Sequence, residues 1–434
     1  MELGTMALTG IAVLLALFLF TRLPVGFAMG MVGFAGFAAV LGTKAALGML
    51  GTEVWNVFSS YGLTVIPLFI LMGQICFYSG VNERLYTTAY AWMGHIRGGL
   101  AMATVLACAG FAAICGSNTA TAATMSTVAL PQMRKYKYSP VLATGSVAAG
   151  STLGVVIPPS VVLLIIGLQT GTSIARLFWA SLLPGLLLAV LFLLVVAAAC
   201  RLRPQWGPTA PRASLGRRLR ALPGALEMLV LFGLVMGGLF AGFFTPTEAG
   251  AAGAAAALLL SAGTRRLSPR DFIRAVTDTI KVSSMIMVII LGAVILGRFL
   301  AVTRLPYEAA AFVSSLQAPP ALVVLVICAI YALGGMLMDA LALLLVTLPI
   351  FHPVALALGF DPVWFGVVIT VVTTMGAITP PVGVNTFIVA SMAPEVPMPK
   401  VFLGVSLFMS AYLVCVLLLL FFPDLALWLP RFVG

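Results

Sequence analysis

The sequence predicts an all-α polytopic membrane protein built from inverted five-span repeats, each with a re-entrant hairpin and a helix broken at a Pro-Pro pair. Three observations predict it. Of 434 residues, 62% are hydrophobic and only 8% charged, which is the balance of a chain dissolved in lipid. A motif occurs twice, as Gly154-Val155-Val156-Ile157-Pro158-Pro159-Ser160 and as Gly376-Ala377-Ile378-Thr379-Pro380-Pro381-Val382-Gly383, with Pro158 and Pro380 standing 222 residues apart. The positive charge, finally, is gathered into a few short loops beside apolar runs, the positive-inside pattern.

A span needs about 20 apolar residues. The spans expected on that scale are 6–21, 25–41, 63–79, 173–200, 224–243, 247–263, 282–302 and 400–422, the shortest of them a few residues under it. Two further crossings, 140–168 and 362–392, are interrupted at Pro158-Pro159 and Pro380-Pro381. Proline removes a backbone donor and breaks a helix. In lipid such a break survives only where protein buries it or where it lines a wet cavity. The total is about ten crossings. The N-terminus lacks a basic leader and a clear cleavage site, so 6–20 reads as a retained span.

Two apolar segments fit poorly as simple spans. Segment 98–133 carries Gly116-Ser117-Asn118-Thr119 at its middle, and 321–353 carries Gly334-Gly335-Met336-Leu337-Met338-Asp339. Each is long enough for two half-length helices meeting at a polar tip, a hairpin that enters and leaves on one side. The charges agree. With the arginine-rich linker 201–223 in the cytoplasm, Arg22, Arg84, Arg97, Arg134, Lys135, Arg265, Arg266 and Lys400 also fall inside, provided that 98–133 is a hairpin. The second hairpin then opens outward and both termini are periplasmic. Arg298 and Arg304 fall near the outer face as exceptions, and snorkelling explains Arg298.

The halves align without a shift. Pro24 pairs with Pro246, Ser117 with Asp339 and Pro158 with Pro380, each at an offset of 222. Five crossings per half is an odd number, so the second copy is inverted. The expected organisation is a first repeat at 1–200, the linker, and a second repeat at 224–434. Broken helices at matching places in inverted halves point to a transport site between them. Segments 44–61 and 265–281 look amphipathic and are expected to lie in the interface before the third span of each half.

A net charge of +11 could suggest nucleic acid, but its confinement to loops beside spans excludes that reading. The six cysteines stand apart in apolar surroundings without a CxxC pair, so neither a disulfide framework nor a metal knuckle is expected. HExxH, G-x-S-x-G and the Walker lysine motif are all absent. Enzymatic chemistry and direct use of ATP are therefore not expected, and an ion gradient is left as the energy source.

Charged groups in the hydrocarbon region are usually functional. Asp339, at a hairpin tip after two glycines, reads as a coupling-ion or substrate carboxylate; capping of the following half-helix is the structural alternative. Ser117, Asn118 and Thr119 offer hydroxyls, an amide and helix N-terminal N–H groups that can hold an anion. Na⁺ instead wants oxygens, which the carbonyls freed at the Pro158-Pro159-Ser160 and Thr379-Pro380-Pro381 breaks, and side chains, could supply. Glu248 reads as a helix cap.

These residues resemble a known family. Gly154–Ser160, Ser173-Ile174-Ala175-Arg176-Leu177-Phe178 with Pro184-Gly185, Phe244-Thr245-Pro246-Thr247-Glu248-Ala249, Gly335-Met336-Leu337-Met338-Asp339 and Ile378-Thr379-Pro380-Pro381-Val382-Gly383 resemble the large membrane (DctM-like, M) subunit of tripartite ATP-independent periplasmic (TRAP) transporters, over about 24–422. The resemblance implies an elevator-type Na⁺/solute symporter of the ion-transporter superfamily in the bacterial inner membrane. It implies a periplasmic substrate-binding protein, a separate small four-helix membrane subunit (Q), and an organic acid as solute. It places Ser117, Ser160 and Asp339 on the substrate side, with Gly116, Asn118, Gly376, Thr379 and nearby backbone around Na⁺, so that the ion's expected surroundings are Gly116, Ser117, Asn118, Gly154, Pro158, Gly335, Asp339, Gly376, Thr379 and Pro380. Two departures touch this site: Thr374 stands where the family often has an acidic residue, and Asn118 where a small residue is commoner. A binding-protein-independent ion antiporter of the same superfamily is the alternative reading.

Overall fold

The computed structural model describes residues 3–315 and 318–432, which form helices and no strand among the described residues. The first half runs α1 (Leu3–Phe20), α2 (Val25–Leu41), α3 (Thr43–Phe58), α4 (Val65–Tyr78), α5 (Val81–Met93), α6 (Gly99–Cys115), α7 (Asn118–Lys135), α8 (Pro140–Val156), α9 (Val161–Thr170) and α10 (Ile174–Leu202). A short α11 (Leu215–Ala221) follows in the linker. The second half runs α12 (Pro223–Phe240), α13 (Pro246–Gly263), α14 (Pro269–Val302), α15 (Leu305–Ser315), α16 (Pro320–Leu337), α17 (Ala340–Ala357), α18 (Pro362–Gly376), α19 (Val384–Met392), α20 (Met398–Phe421) and α21 (Asp424–Leu427).

Local chemistry sets these boundaries. Proline is the first residue of α8, α12, α13, α14, α16 and α18, where its missing N–H costs no hydrogen bond. Thr245 and Glu248 form a reciprocal capping box on α13, so Glu248 serves the helix end as the sequence suggested. Asp361 caps α18 by accepting from Val363 N at 2.7 Å. By length and composition, eight helical segments among the described residues can cross a membrane. Two of them, α16 and α17, are the arms of the second hairpin. Four shorter apolar helices, among them α2 and α18, fall below that length.

The expected hairpins and breaks are all present. Helices α6 and α7 meet at Gly116-Ser117, and α16 and α17 at Met338-Asp339. Helices α8 and α9 are parted at 157–160, α18 and α19 at 377–383. Pro158-Pro159 and Pro380-Pro381 are both cis. The two breaks differ in their surroundings: Pro158 is buried, and Pro380 is exposed.

One expectation fails. Segment 265–281 is not a separate interfacial helix; from Pro269 it is the opening of α14, 34 residues without interruption and roughly 50 Å long. Its counterpart in the first half is divided into α3 and α4 by a turn at Ser59-Ser60. Gly62 and Pro67 lie around that turn, whereas the matching 281–289 holds neither residue type, so nothing interrupts the helix. The structure also holds α5 and α15, short arms leading into the hairpins, which the span count left unassigned. Arg298 does not merely snorkel. Its Nε donates to Oε1 of Glu53 on α3 at 2.7 Å, and Glu53 is buried.

The halves interlock through glycine. A Cβ on Gly292 of α14 would lie 2.0 Å from the carbonyl oxygen of Gly26 on α2. A Cβ on Gly404 of α20 would lie 2.1 Å from the carbonyl oxygen of Val141 on α8. Close backbone approach of this kind drives helix association in lipid, where apolar side chains alone gain little. The linker is stitched to the base of the first hairpin. Gly98 N donates to Gly207 O, Ser139 N to Trp206 O and Ala210 N to Gly94 O, at 2.9, 3.0 and 2.9 Å. On the same side, Glu227 of α12 pairs with both Arg84 of α5 and Arg266, the latter at 2.7 Å.

Candidate functional site: two hairpin tips facing one cavity

Each tip is built by a helix start. Ser117 has extended backbone, and its Oγ accepts from Ala120 N at 3.4 Å, opening α7. Asp339 has the same role on α17, where Leu341 N donates to its Oδ2 at 3.1 Å. The capping alternative for Asp339 is thus real, and it does not compete with a binding role. One carboxylate oxygen is engaged by the cap, and the residue lines a cavity of about 480 Å³.

That cavity joins the two tips. Gly116, Ser117, Asn118 and Thr119 line it from the first hairpin, and Asp339, Ala340 and Leu341 from the second. Residues 222 positions apart in sequence, Ser117 and Asp339, therefore share one chamber. Asn118 is buried; its Oδ1 accepts from Thr119 N at 2.8 Å, and its Nδ2 is a buried donor without a partner. An unmet buried donor is costly, and a ligand oxygen would satisfy it. A facing wall comes from α4 and α14, through Ile70, Gln74, Val282, Met285 and Ile286. Gln74 was not foreseen. It was legible as a lone amide in the otherwise apolar run of α4.

The remaining sequence candidates stand behind the tips rather than on the cavity wall. A Cβ on Gly154 would sit 2.6 Å from Ser117 O, and one on Gly116 2.8 Å from Pro159 O. In the other half, a Cβ on Gly376 would sit 2.6 Å from the Cα of Gly335, and one on Gly335 2.7 Å from Thr373 O. In each half a tip is thus pressed against a broken helix through bare glycine backbone, with carbonyl oxygens at the contact. Ser160 is buried and caps α9 by accepting from Leu163 N at 3.3 Å. Thr379 donates to Met375 O at 2.7 Å. Pro158 and Pro380 lie in the breaks themselves.

Freed backbone groups are partly met within the chain. Ser181 donates to Val156 O, Thr386 Oγ1 to Ile378 O at 2.9 Å and Asn385 N to Ala377 O at 3.1 Å. Val161 N reaches Gly116 O at 3.4 Å, and Gly383 N reaches Met336 O at 3.2 Å, so each break is bonded to its own tip. Asn385 Nδ2 donates to Ser151 Oγ at 3.0 Å and Tyr412 to Thr152, which tie the two halves together behind the site. Thr374, at the unusual position, spends its hydroxyl on Val371 O and Thr370 O of its own helix.

A family model described as the tripartite ATP-independent periplasmic transporter, DctM component, matches residues 12–425. The chain belongs to this family. It is a TRAP transporter large permease, a multi-span membrane protein and not an enzyme. It is 34% identical to the C4-dicarboxylate TRAP transporter large permease protein DctM of Pseudomonas aeruginosa, over 89% of this chain and 90% of that one. It is 30% identical to the sialic acid TRAP transporter large permease protein SiaM of Vibrio cholerae, over 95% and 96%. Among solved structures it resembles the YdaH transporter of Alcanivorax borkumensis, with a TM-score of 0.66 at 16% identity over 90% of each chain, a likeness of fold.

Proposed function

We propose that this permease carries a small organic acid into the cell across the bacterial inner membrane, coupled to Na⁺. The observation that carries the reading is the single cavity lined by both hairpin tips, where an aspartate faces a serine, an asparagine and a threonine. The solute carboxylate docks against the Ser117 and Thr119 hydroxyls, the open Asn118 donor and the start of α7, whose helix dipole favours an anion. Na⁺ is cargo here. Carbonyl oxygens crowd the Gly154–Ser117 and Gly376–Gly335 contacts, and hard oxygen donors are what this ion takes. Asp339 offsets its charge.

The two hairpins and two broken helices move as one block against a scaffold that includes α2, α4, α13 and α14. Na⁺ binds first and orders the tips, and solute follows. A half-loaded block would take uncompensated polar groups through lipid at several kcal/mol, which suppresses leak. A periplasmic binding protein delivers the solute, and a small four-helix subunit braces the scaffold. The linker faces the cytoplasm and both termini the periplasm; a reporter enzyme fused at the C-terminus that worked only in the cytoplasm would contradict this orientation.

The test is uptake into proteoliposomes holding both membrane subunits, with candidate carboxylates loaded on the binding protein. Uptake should require an inward Na⁺ gradient and the binding protein together. Uptake unchanged without Na⁺ removes the coupling, and exchange that ignores the binding protein favours the antiporter reading.

A further inference from the structure

A second polar cavity, of about 460 Å³, lies farther along the same three helices. Helix α9 contributes Val161 to the tip cavity and Gln169 and Thr170 to this one; α14 contributes Ile286 and then Arg298; α17 contributes Leu341 and then His352. From Ile286 to Arg298 the rise along α14 is roughly 18 Å. All three helices run from the tip cavity towards this one in the same sense, so the two chambers lie in line along them. In the proposed orientation the second chamber is the outer one.

Its chemistry differs from that of the inner site. Arg298 is held by one edge: its Nε is taken by the buried Glu53 carboxylate at 2.7 Å, and the rest of its fork makes no hydrogen bond among the described residues. His352 brings a buried Nε2 that has no partner. Gln169 adds an amide. At Gly297 an added Cβ would meet nothing within 4 Å, so the α14 backbone there faces open space.

We propose that this chamber is a separate carboxylate-binding station, in which the Arg298 fork and His352 hold the solute anion on its way to the tips. It rests on the reading of the chain as a carboxylate carrier. A guanidinium fork matches a carboxylate by two parallel hydrogen bonds. Glu53 fixes the fork in place and cancels part of its charge. The hold is weak for that reason, as a station that must release its guest requires.

The test uses Gly297→Cys in the full chain with its small subunit in proteoliposomes. The six native cysteines are buried, so the new thiol reports alone on this chain. Its mass shift is followed with anionic 2-sulfonatoethyl methanethiosulfonate and with the cationic trimethylammonium reagent. The anionic reagent should gain about tenfold over the cationic one, relative to free thiol, as a positive pocket requires. Succinate should slow the anionic reaction where chloride at equal ionic strength does not. Arg298→Gln should abolish the preference, whereas Glu53→Gln should raise it. If the pair only braces α3 against α14, both substitutions act alike and the proposal falls. It falls too if succinate gives no protection. Asp339→Asn should leave the labelling ratio unchanged, so loss of carrier function and loss of this station are read separately.

Discussion

Asp339 carries two duties that one substitution can separate. As the N-cap of α17 it accepts from Leu341 N, and asparagine caps a helix about as well as aspartate. Asp339→Asn should therefore change thermal stability by only a few tenths of a kcal/mol. Na⁺-driven uptake should fall at least about tenfold, equivalent to ~1.4 kcal/mol or more. Uptake near the parent level, measured in proteoliposomes, would remove the carboxylate from the mechanism and leave only the cap. The sequence marked Asp339 as a charge among apolar neighbours and Ser117 as part of a polar run inside an apolar segment, and both line the cavity. The sequence was a poor guide where the role depends on what lies opposite. Glu53 and Arg298 are 245 positions apart, and no local pattern announces that they pair. Gln74 is visible as a lone amide in α4, but that it faces the tips across the cavity is not readable locally.

The contact between a tip and a broken helix belongs to the element. Gly154 touches Ser117 O, and Gly376 touches Gly335, each with room for hydrogen alone. A methyl group at either place must push the tip away from the break, an overpacking cost on the order of 1–3 kcal/mol. Gly154→Ala and Gly376→Ala should each weaken Na⁺ activation of uptake more than they weaken solute affinity at saturating Na⁺; equal losses in both would argue for plain misfolding. Hairpins and breaks were readable from proline, glycine and polar tips, and the starts of α13 and α17 from Glu248 and Asp339, whose constraints are local. Continuity was harder. The amphipathic run from Arg265 looked like its counterpart before Tyr61, yet from Pro269 on the first is the opening of α14, whereas the second is the separate helix α3. Amphipathic composition describes a face of a helix, and it does not say whether the next turn continues. The arms α5 and α15 are short and mixed in polarity, so an apolar-run reading passes over them.

At the scale of the whole molecule, the question is whether hairpins and scaffold slide past each other. Gly110 on α6 lies against α12, where a Cβ would be 2.6 Å from Met228 Sδ. A Gly110→Cys, Met228→Cys pair should thus bridge on oxidation, away from the cavity. Uptake should stop when the bridge forms and return with a thiol reductant. Undiminished uptake with the bridge complete, measured by gel shift and flux on one sample, would mean that these surfaces do not move apart.

The attachment of the linker bears on how the gene could be rearranged. Residues 204–210 are bonded to the first half through Gly94, Gly98 and Ser139, while Pro211, Arg212 and Ala213 make no hydrogen bond among the described residues. Two co-expressed fragments divided after Arg212 should reassemble into a working permease. A division after Arg203 would leave that clasp on the wrong fragment and should yield far less activity. The first piece that can be separated cleanly therefore runs past Ala210, beyond the last turn of α10.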